Sequence, residues 1–139
     1  MTEIAIRSAL PGGPLTEEAI GELVDAFYAK VRVDPELGPV FDRAIADWGP
    51  HLATMRNFWS SVMLTSGRYK GNPVAVHQRV DGIGIELFDR WLTLFGETCR
   101  EMFAPALAVE FQTKAARIAE SLKLALFYRP DRPWPPGAA

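Results

Sequence analysis

The sequence has few of the residues that hold metal clusters or disulfides: of its 139 residues, one is cysteine and two are histidine. The single cysteine, Cys99, cannot form an internal disulfide, which weakly indicates a reducing compartment. Structural zinc requires four Cys or His ligands at short spacings, but His51 and His77 lie far apart in the chain and no Cys-x-x-Cys motif occurs. Zinc is therefore a poor candidate for a bound metal.

Long apolar runs and blocks of basic residues are also missing. No apolar segment approaches the roughly 20 residues that a membrane span needs, and the N-terminus lacks a basic segment leading into an apolar one. The net charge is −2, and the Lys and Arg residues are too scattered to neutralise a run of phosphates. We therefore expect a cytoplasmic protein with no membrane span and no nucleic-acid partner.

The composition that is present is globular, with 48% hydrophobic and 23% charged residues in a chain of single-domain size. Apolar residues recur at offsets of 3 and 4, and no segment shows sustained period-2 alternation, so the predicted fold is all-α. Prolines and glycines delimit one domain over residues 16–128, preceded by an N-terminal arm at 1–15 and followed by a proline-rich tail at 129–139.

Start and stop signals divide this domain into helices. Thr16, followed by two glutamates, is typical of a helix start, and Asp34-Pro35 ends that helix. Gly38-Pro39 predicts a second turn, after which a short helical piece reaches Trp48. Further helices are predicted at about 50–64, at 74–78 after Asn72-Pro73, at 85–102 and at 106–128. The long Gly/Pro-marked connection between the third and fifth of these helices favours helix pairs that cross around a pocket over a plain four-helix bundle.

Both histidines are predicted among apolar residues. His51 shares a helical face with Met55, Phe58 and Trp59, and His77 lies in a short segment with apolar neighbours. Two short helices that face each other can hold a flat ligand between two imidazoles. A histidine on an apolar face is more often a hydrogen-bonded core residue. The alternative is therefore a helical binding or interaction module that holds no flat ligand and whose two histidines are structural.

Several segments occur in an order and spacing that are specific in combination, although each is weak alone. They are FYAKVRVDPELGPVF, Trp48 with HLATMRNFWSSVML, the YKGNP turn before His77, and FDRWL. In these segments, over roughly residues 16–127, the chain resembles the truncated haemoglobins of the third, or P-type, group. It also lacks the paired-glycine motifs of the first group at the corresponding inter-helix corners, as third-group members do.

The resemblance implies a truncated globin fold in which two antiparallel helix pairs sandwich haem b. It implies that His77 is the proximal iron ligand and that His51 is the distal histidine. Tyr28 and Trp91 are the residues that it places beside the bound ligand, with Trp91 also in contact with the haem.

Further residues are candidates for contact with the haem. The resemblance implies that Phe41 packs on the haem and that Met55 and Trp59 lie on its distal face. Phe58, Trp59, Leu92 and Phe95 are more often plain core residues than ligand contacts. Candidates for the haem propionates, which the sequence does not rank, are Tyr69, Arg79, Arg43, Arg56 and Arg68.

The implied chemistry is the binding of O₂, NO, CO or an anion at a penta-coordinate haem iron. Tyr28 is the strongest expected donor to the ligand, Trp91 is the second, and His51 acts as a donor or as a gate to solvent. Such donors slow release, which favours redox conversion over O₂ transport. NO dioxygenation and peroxide reduction are the expected conversions, with an unidentified reductase as partner. A haem-based sensor is less favoured because the chain leaves no length for an output domain.

Overall fold

A computed structural model describes residues 14–80 and 82–131, and within these ranges the chain forms six α-helices and no strand. The helices are α1 Glu17–Val33, α2 Leu37–Ala44, α3 Trp48–Leu64, α4 Pro73–Gln78, α5 Ile85–Met102 and α6 Pro105–Phe127. The all-α prediction is confirmed. Residues 1–13 of the expected arm and residues 132–139 of the expected tail lie outside the described ranges, as does Asp81.

Two helix starts that the sequence predicts are capped as expected. The Thr16 side chain accepts a hydrogen bond of 3.1 Å from the Ala19 backbone N–H at the start of α1. At the start of α4, Asn72 Oδ1 accepts one of the same length from the Ala75 N–H, and Pro73 takes the first helical position. These caps fix where α1 and α4 begin.

The predicted turn at Gly38-Pro39 is wrong, because both residues lie in the first turn of α2. Proline is tolerated there, since the N–H groups of a helix's first turn have no intrahelical partner. The short helical piece was also placed too late: α2 ends at Ala44, and Trp48 instead begins α3. A local contact stabilises this start, because the Asp34 carboxylate accepts hydrogen bonds from the backbone N–H groups of Glu36 and Leu37, two and three residues further along the chain.

The helices pack around two clusters of buried side chains. The first is built on α1, whose residues Leu23 and Phe27 are almost fully buried, and it extends to α3, α5 and α6. The second, smaller cluster contains Phe88, Ala119 and Leu122 and lies where α4 packs against α6. His51 is on α3 beside the first cluster and His77 is on α4 beside the second. No helix within the described ranges is long and apolar enough to cross a membrane.

Candidate functional site

His77 is held by a hydrogen bond that determines which ring nitrogen carries its proton. Nδ1 lies 2.7 Å from the backbone carbonyl oxygen of Pro73, one turn earlier in α4. Because a carbonyl oxygen only accepts, the proton is on Nδ1 and the lone pair is on Nε2. Metal-binding imidazoles are commonly oriented in this way, with one nitrogen bonded to the backbone and the other directed at the metal.

The surroundings of His77 are apolar. Its ring centroid is 6.2 Å from that of Phe88 on α5, and the half-buried imidazole lies beside the second cluster. Within the described part of the chain, no group of three or more His, Cys, Asp or Glu residues could hold a metal ion. The donor set at His77 is therefore a single imidazole, which suits a metal whose other ligands come from a flat macrocycle.

Tyr28 is the centre of a group of aromatic rings carried by α1, α2 and α3. Its ring centroid lies 5.3 Å from that of His51, 5.9 Å from Phe41 and 6.0 Å from Trp48. Burial raises the pKa of the Tyr28 phenol, and a hydrogen bond with the Trp91 side chain lowers it in part. An indole N–H only donates, so the phenol oxygen accepts from Trp91 and keeps its own proton for another acceptor. We call Tyr28, Phe41, Trp48 and His51 the distal aromatic group.

His51 contains a buried nitrogen that lacks a partner. Among the described residues, no hydrogen-bond partner lies within reach of Nε2, and that atom is shielded from solvent. Burial also lowers the pKa of His51, which favours the neutral imidazole. A buried polar atom without a partner destabilises the fold, so the nitrogen marks a place where a polar ligand would be accepted. With His77, it is the observation that fits the chain to a haem and its ligand.

Trp91 joins the distal aromatic group to the core. Its ring centroid is 5.1 Å from Phe27 and 5.0 Å from Phe95, on which it stacks. Phe95 in turn stacks on Trp59 at 4.8 Å, and both of these rings are almost fully buried. Trp59 and Phe95 are therefore core residues. Met55, which was assigned to the distal face, is half-buried and packs against the first cluster.

Trp48 is a site residue that the sequence-based assignment missed, although it carried part of the resemblance. It stacks on Phe41 at 6.3 Å and meets His51 edge-on at 5.4 Å. The Arg32 guanidinium covers the ring at 4.6 Å from its centroid. The available signal was the spacing, since Trp48 and His51 are three residues apart and share a helical face.

The structure separates the five propionate candidates into two classes. Arg56 forms an ion pair of 2.7 Å with Asp25, and Arg68 lies 3.6 Å from the Glu17 carboxylate, so both already bind α1. The other candidates are Arg43 at the end of α2, Tyr69 before α4, and Arg79 at the end of α4. The Tyr69 ring packs on Phe58 at 5.1 Å, and burial raises the pKa of its phenol.

Comparisons with known proteins found similarity both by sequence and by structure. No family model matches the chain. The group 3 truncated hemoglobin ctb of Campylobacter jejuni is 32% identical over an alignment of 117 residues, and the match covers 81% of this chain and 92% of that protein. The crystal structure of group III truncated hemoglobin from Campylobacter jejuni superposes with a TM-score of 0.79 at 31% identity, covering 85% of this chain and 96% of that one. The fold predicted from the sequence is confirmed by this similarity.

Proposed function

We propose that this chain, which belongs to the group III truncated haemoglobins and is therefore a haem globin, holds haem b through His77. We further propose that it binds small diatomic ligands beside the distal aromatic group. The observation that carries the proposal is the hydrogen bond of 2.7 Å from His77 Nδ1 to the Pro73 carbonyl, because it leaves Nε2 as the free base that iron requires.

The other residues support the same arrangement. Phe41 and Met55 provide apolar contacts to the haem, and Trp91 lies beside both haem and ligand. For the propionates, Tyr69 and Arg79 are the proposed partners, with Arg43 as the remaining basic candidate, because Arg56 and Arg68 already form ion pairs with α1. When bound, the haem supplies an iron with one coordination position open to O₂, NO, CO or an anion.

The distal residues determine how long a ligand is retained. The Tyr28 hydroxyl donates to the negatively polarised outer atom of a ligand in the pocket, and the Trp91 N–H fixes the direction of that hydroxyl by donating to its oxygen. The neutral His51 ring supplies a second polar atom at the pocket. If two net hydrogen bonds contribute about 1 kcal/mol each, escape is slowed roughly 30-fold.

Slow release suits conversion of the ligand better than transport. We therefore favour NO dioxygenation or peroxide reduction, with electrons from a separate reductase, over O₂ delivery. The alternative of a haem-free helical module requires both imidazoles to be structural, and the unpartnered Nε2 of His51 speaks against that.

The test is a haem titration of the purified protein, with haem b identified from its pyridine complex. We expect a Soret band that saturates at one haem per chain and shifts when CO is added to the reduced protein. NO consumption by the O₂-loaded protein and peroxide turnover are then compared in the same preparation. Saturable haem binding without either turnover would contradict the redox assignment, and absence of a Soret band would overturn the haem assignment for this chain.

A further inference from the structure

One buried carboxylate joins the three helices that carry Tyr28, Phe41 and Trp91. The Asp34 side chain is only 3% exposed and follows the last residue of α1. Its Oδ1 accepts hydrogen bonds from Arg90 Nε, at 2.9 Å, and from Arg90 Nη2 on α5. Its Oδ2 accepts from the backbone N–H groups of Glu36 and Leu37, at 3.0 and 2.9 Å, where α2 begins. The fork of the guanidinium fixes direction as well as distance, which a single contact would not.

Each of the three helices that Asp34 joins carries one residue of the proposed ligand site close to this junction. Trp91 directly follows Arg90, so one turn of α5 contacts α1 at two points, through Arg90 on Asp34 and through Trp91 on Phe27. Tyr28, whose phenol oxygen accepts a hydrogen bond from Trp91, belongs to the same buried cluster as Phe27. Phe41 is carried by α2, whose first turn the Asp34 carboxylate holds.

We propose that the ion pair of Asp34 and Arg90 is a positioning device that holds Trp91 in hydrogen-bond contact with Tyr28 and so sets the retention of ligand in the pocket. The effect on ligand retention rests on the proposed function, whereas the effect on Trp91 does not. Asp34 and Arg90 touch neither haem nor ligand in this proposal; they act through the relative placement of α1, α2 and α5.

A matched control is available in the same helix pair. Lys30 on α1 and Glu101 on α5 form an exposed ion pair of 2.7 Å. Lys30→Gln removes a cation and an interhelical ion pair without affecting the Asp34 junction. Arg90→Gln removes the ion pair with Asp34, which we call the clamp. Arg90→Lys keeps the positive charge but loses the paired N–H donors of the guanidinium, so it is the milder variant if Arg90→Gln does not fold.

The first readout follows the Trp91 indole itself and does not measure ligand release. The chain has four tryptophans, so its nitrogen-15 spectrum contains few indole N–H signals, and that of Trp91 is identified by its loss in Trp91→Phe. Spectra are recorded on the CO-saturated ferrous protein, or on the protein as purified if it holds no haem. We expect hydrogen exchange of this N–H to accelerate at least about 10-fold in Arg90→Gln, less in Arg90→Lys, and not in Lys30→Gln.

The second readout is ligand release. We expect Arg90→Gln to raise the O₂ dissociation rate by roughly 3- to 10-fold, the equivalent of one net hydrogen bond, with CO dissociation changed much less. Unchanged indole exchange in both Arg90 variants, with only a lower unfolding midpoint, would show the pair to be merely structural. Faster exchange with an unchanged O₂ rate would overturn its role in ligand retention. A wild-type protein without haem would overturn the proposed function, while indole exchange would still decide whether the clamp holds Trp91.

Discussion

In the described part of the chain, both histidines leave Nε2 without a hydrogen bond, but the surroundings of that nitrogen differ. His77 commits Nδ1 to the Pro73 carbonyl, so that Nε2 is the available base. His51 has a buried Nε2 without a partner among the described residues, and burial lowers the pKa of its ring. We propose His77 Nε2 as the iron ligand and His51 Nε2 as a polar atom that faces the bound ligand.

Removal of the Tyr28 hydroxyl tests its role as the main donor. Tyr28→Phe should raise the O₂ dissociation rate by roughly 3- to 10-fold, because about one net hydrogen bond is lost. CO dissociation should respond much less, since bound CO carries less negative charge on its outer atom. Stopped-flow ligand replacement measures both rates, with Tyr128→Phe as the control for loss of a phenol elsewhere. Equal changes for O₂ and CO would mean that the substitution merely opens the pocket.

Trp91 should act partly through Tyr28, because it donates to the phenol oxygen. Trp91→Phe is therefore expected to accelerate O₂ release by a similar factor of roughly 3 to 10. The double variant should depart from additivity, since residues in one hydrogen-bond network are coupled. The four dissociation rates form a double-mutant cycle. Strictly additive effects would contradict the link between the two side chains.

His51 should be dispensable for haem uptake but not for ligand entry. It lies in the first turn of α3 beside Trp48, and its imidazole is half-buried. His51→Ala is expected to bind haem and to admit CO about 10-fold faster, which corresponds to a barrier lowered by about 1.4 kcal/mol. Flash photolysis measures this entry rate. An unchanged rate would show that His51 does not obstruct the path.

At the scale of helices, local signals predict boundaries well where a cap is encoded in neighbouring residues. Thr16 and Asn72 cap α1 and α4 as their side chains suggest. The start of α2 is predicted wrongly although the acceptor for its first N–H groups is equally local, because the dipeptide Gly38-Pro39 is a turn signal and Asp34 is interpreted only as the end of α1. Only the pairing of the same carboxylate with Arg90 leaves no local pattern.

Gly38 tests the close approach of α1 and α2. A Cβ added at Gly38 would lie 2.9 Å from the Arg32 carbonyl oxygen, so the backbone of one helix would have to move. Gly38→Ala should lower the free energy of unfolding by about 1–3 kcal/mol, as overpacking does. Urea unfolding of Gly38→Ala and of the parent measures this change in free energy. Gly49→Ala is the control, since its Cβ would meet only Asp47 Oδ1 at an ordinary 3.6 Å, and it should be neutral or stabilising. Equal stability of the two variants would contradict the close approach.

For the whole molecule, the sequence names candidate residues for the site, whose roles stay predictions, but not the contacts among them. His77, Tyr28, His51 and Trp91 were identified by helical periodicity and by the resemblance. The pairing of Asp34 with Arg90 was not, because 56 positions separate them and only the packing of α5 on α1 brings them together. Ring contacts such as Trp48 on Phe41 likewise depend on the α2–α3 corner, whose helix boundaries the sequence misplaced.

The Asp34 pair should also appear in the pH dependence of stability. Hydrogen bonds from Arg90 hold the pKa of Asp34 below its ordinary value, against the opposing effect of burial, while Glu36 and Glu97 also face Arg90. A carboxyl group whose pKa is lower in the folded state stabilises fully above its unfolded pKa of about 4. That contribution is lost as the pH falls from about 4 through the lowered folded pKa.

Asp34→Asn should therefore be less stable than the parent at pH 7, and this difference in unfolding free energy should shrink as the pH approaches 3. Urea unfolding of both proteins as purified, at several pH values between 7 and 3, measures this difference. Asp25→Asn, which removes an exposed partner of Arg56, should differ little from the parent throughout. A difference for Asp34→Asn that stays constant with pH would contradict the lowered pKa.

The assignment of His77 as iron ligand is tested most directly by replacing its side chain with free imidazole. His77→Gly and His51→Gly are compared by haem titration and visible spectrum, each with and without added imidazole. We predict that His77→Gly loses the five-coordinate ferrous spectrum and that imidazole restores it, whereas His51→Gly retains it without imidazole. A His77→Gly protein that binds haem with the parent spectrum in the absence of imidazole would contradict the assignment.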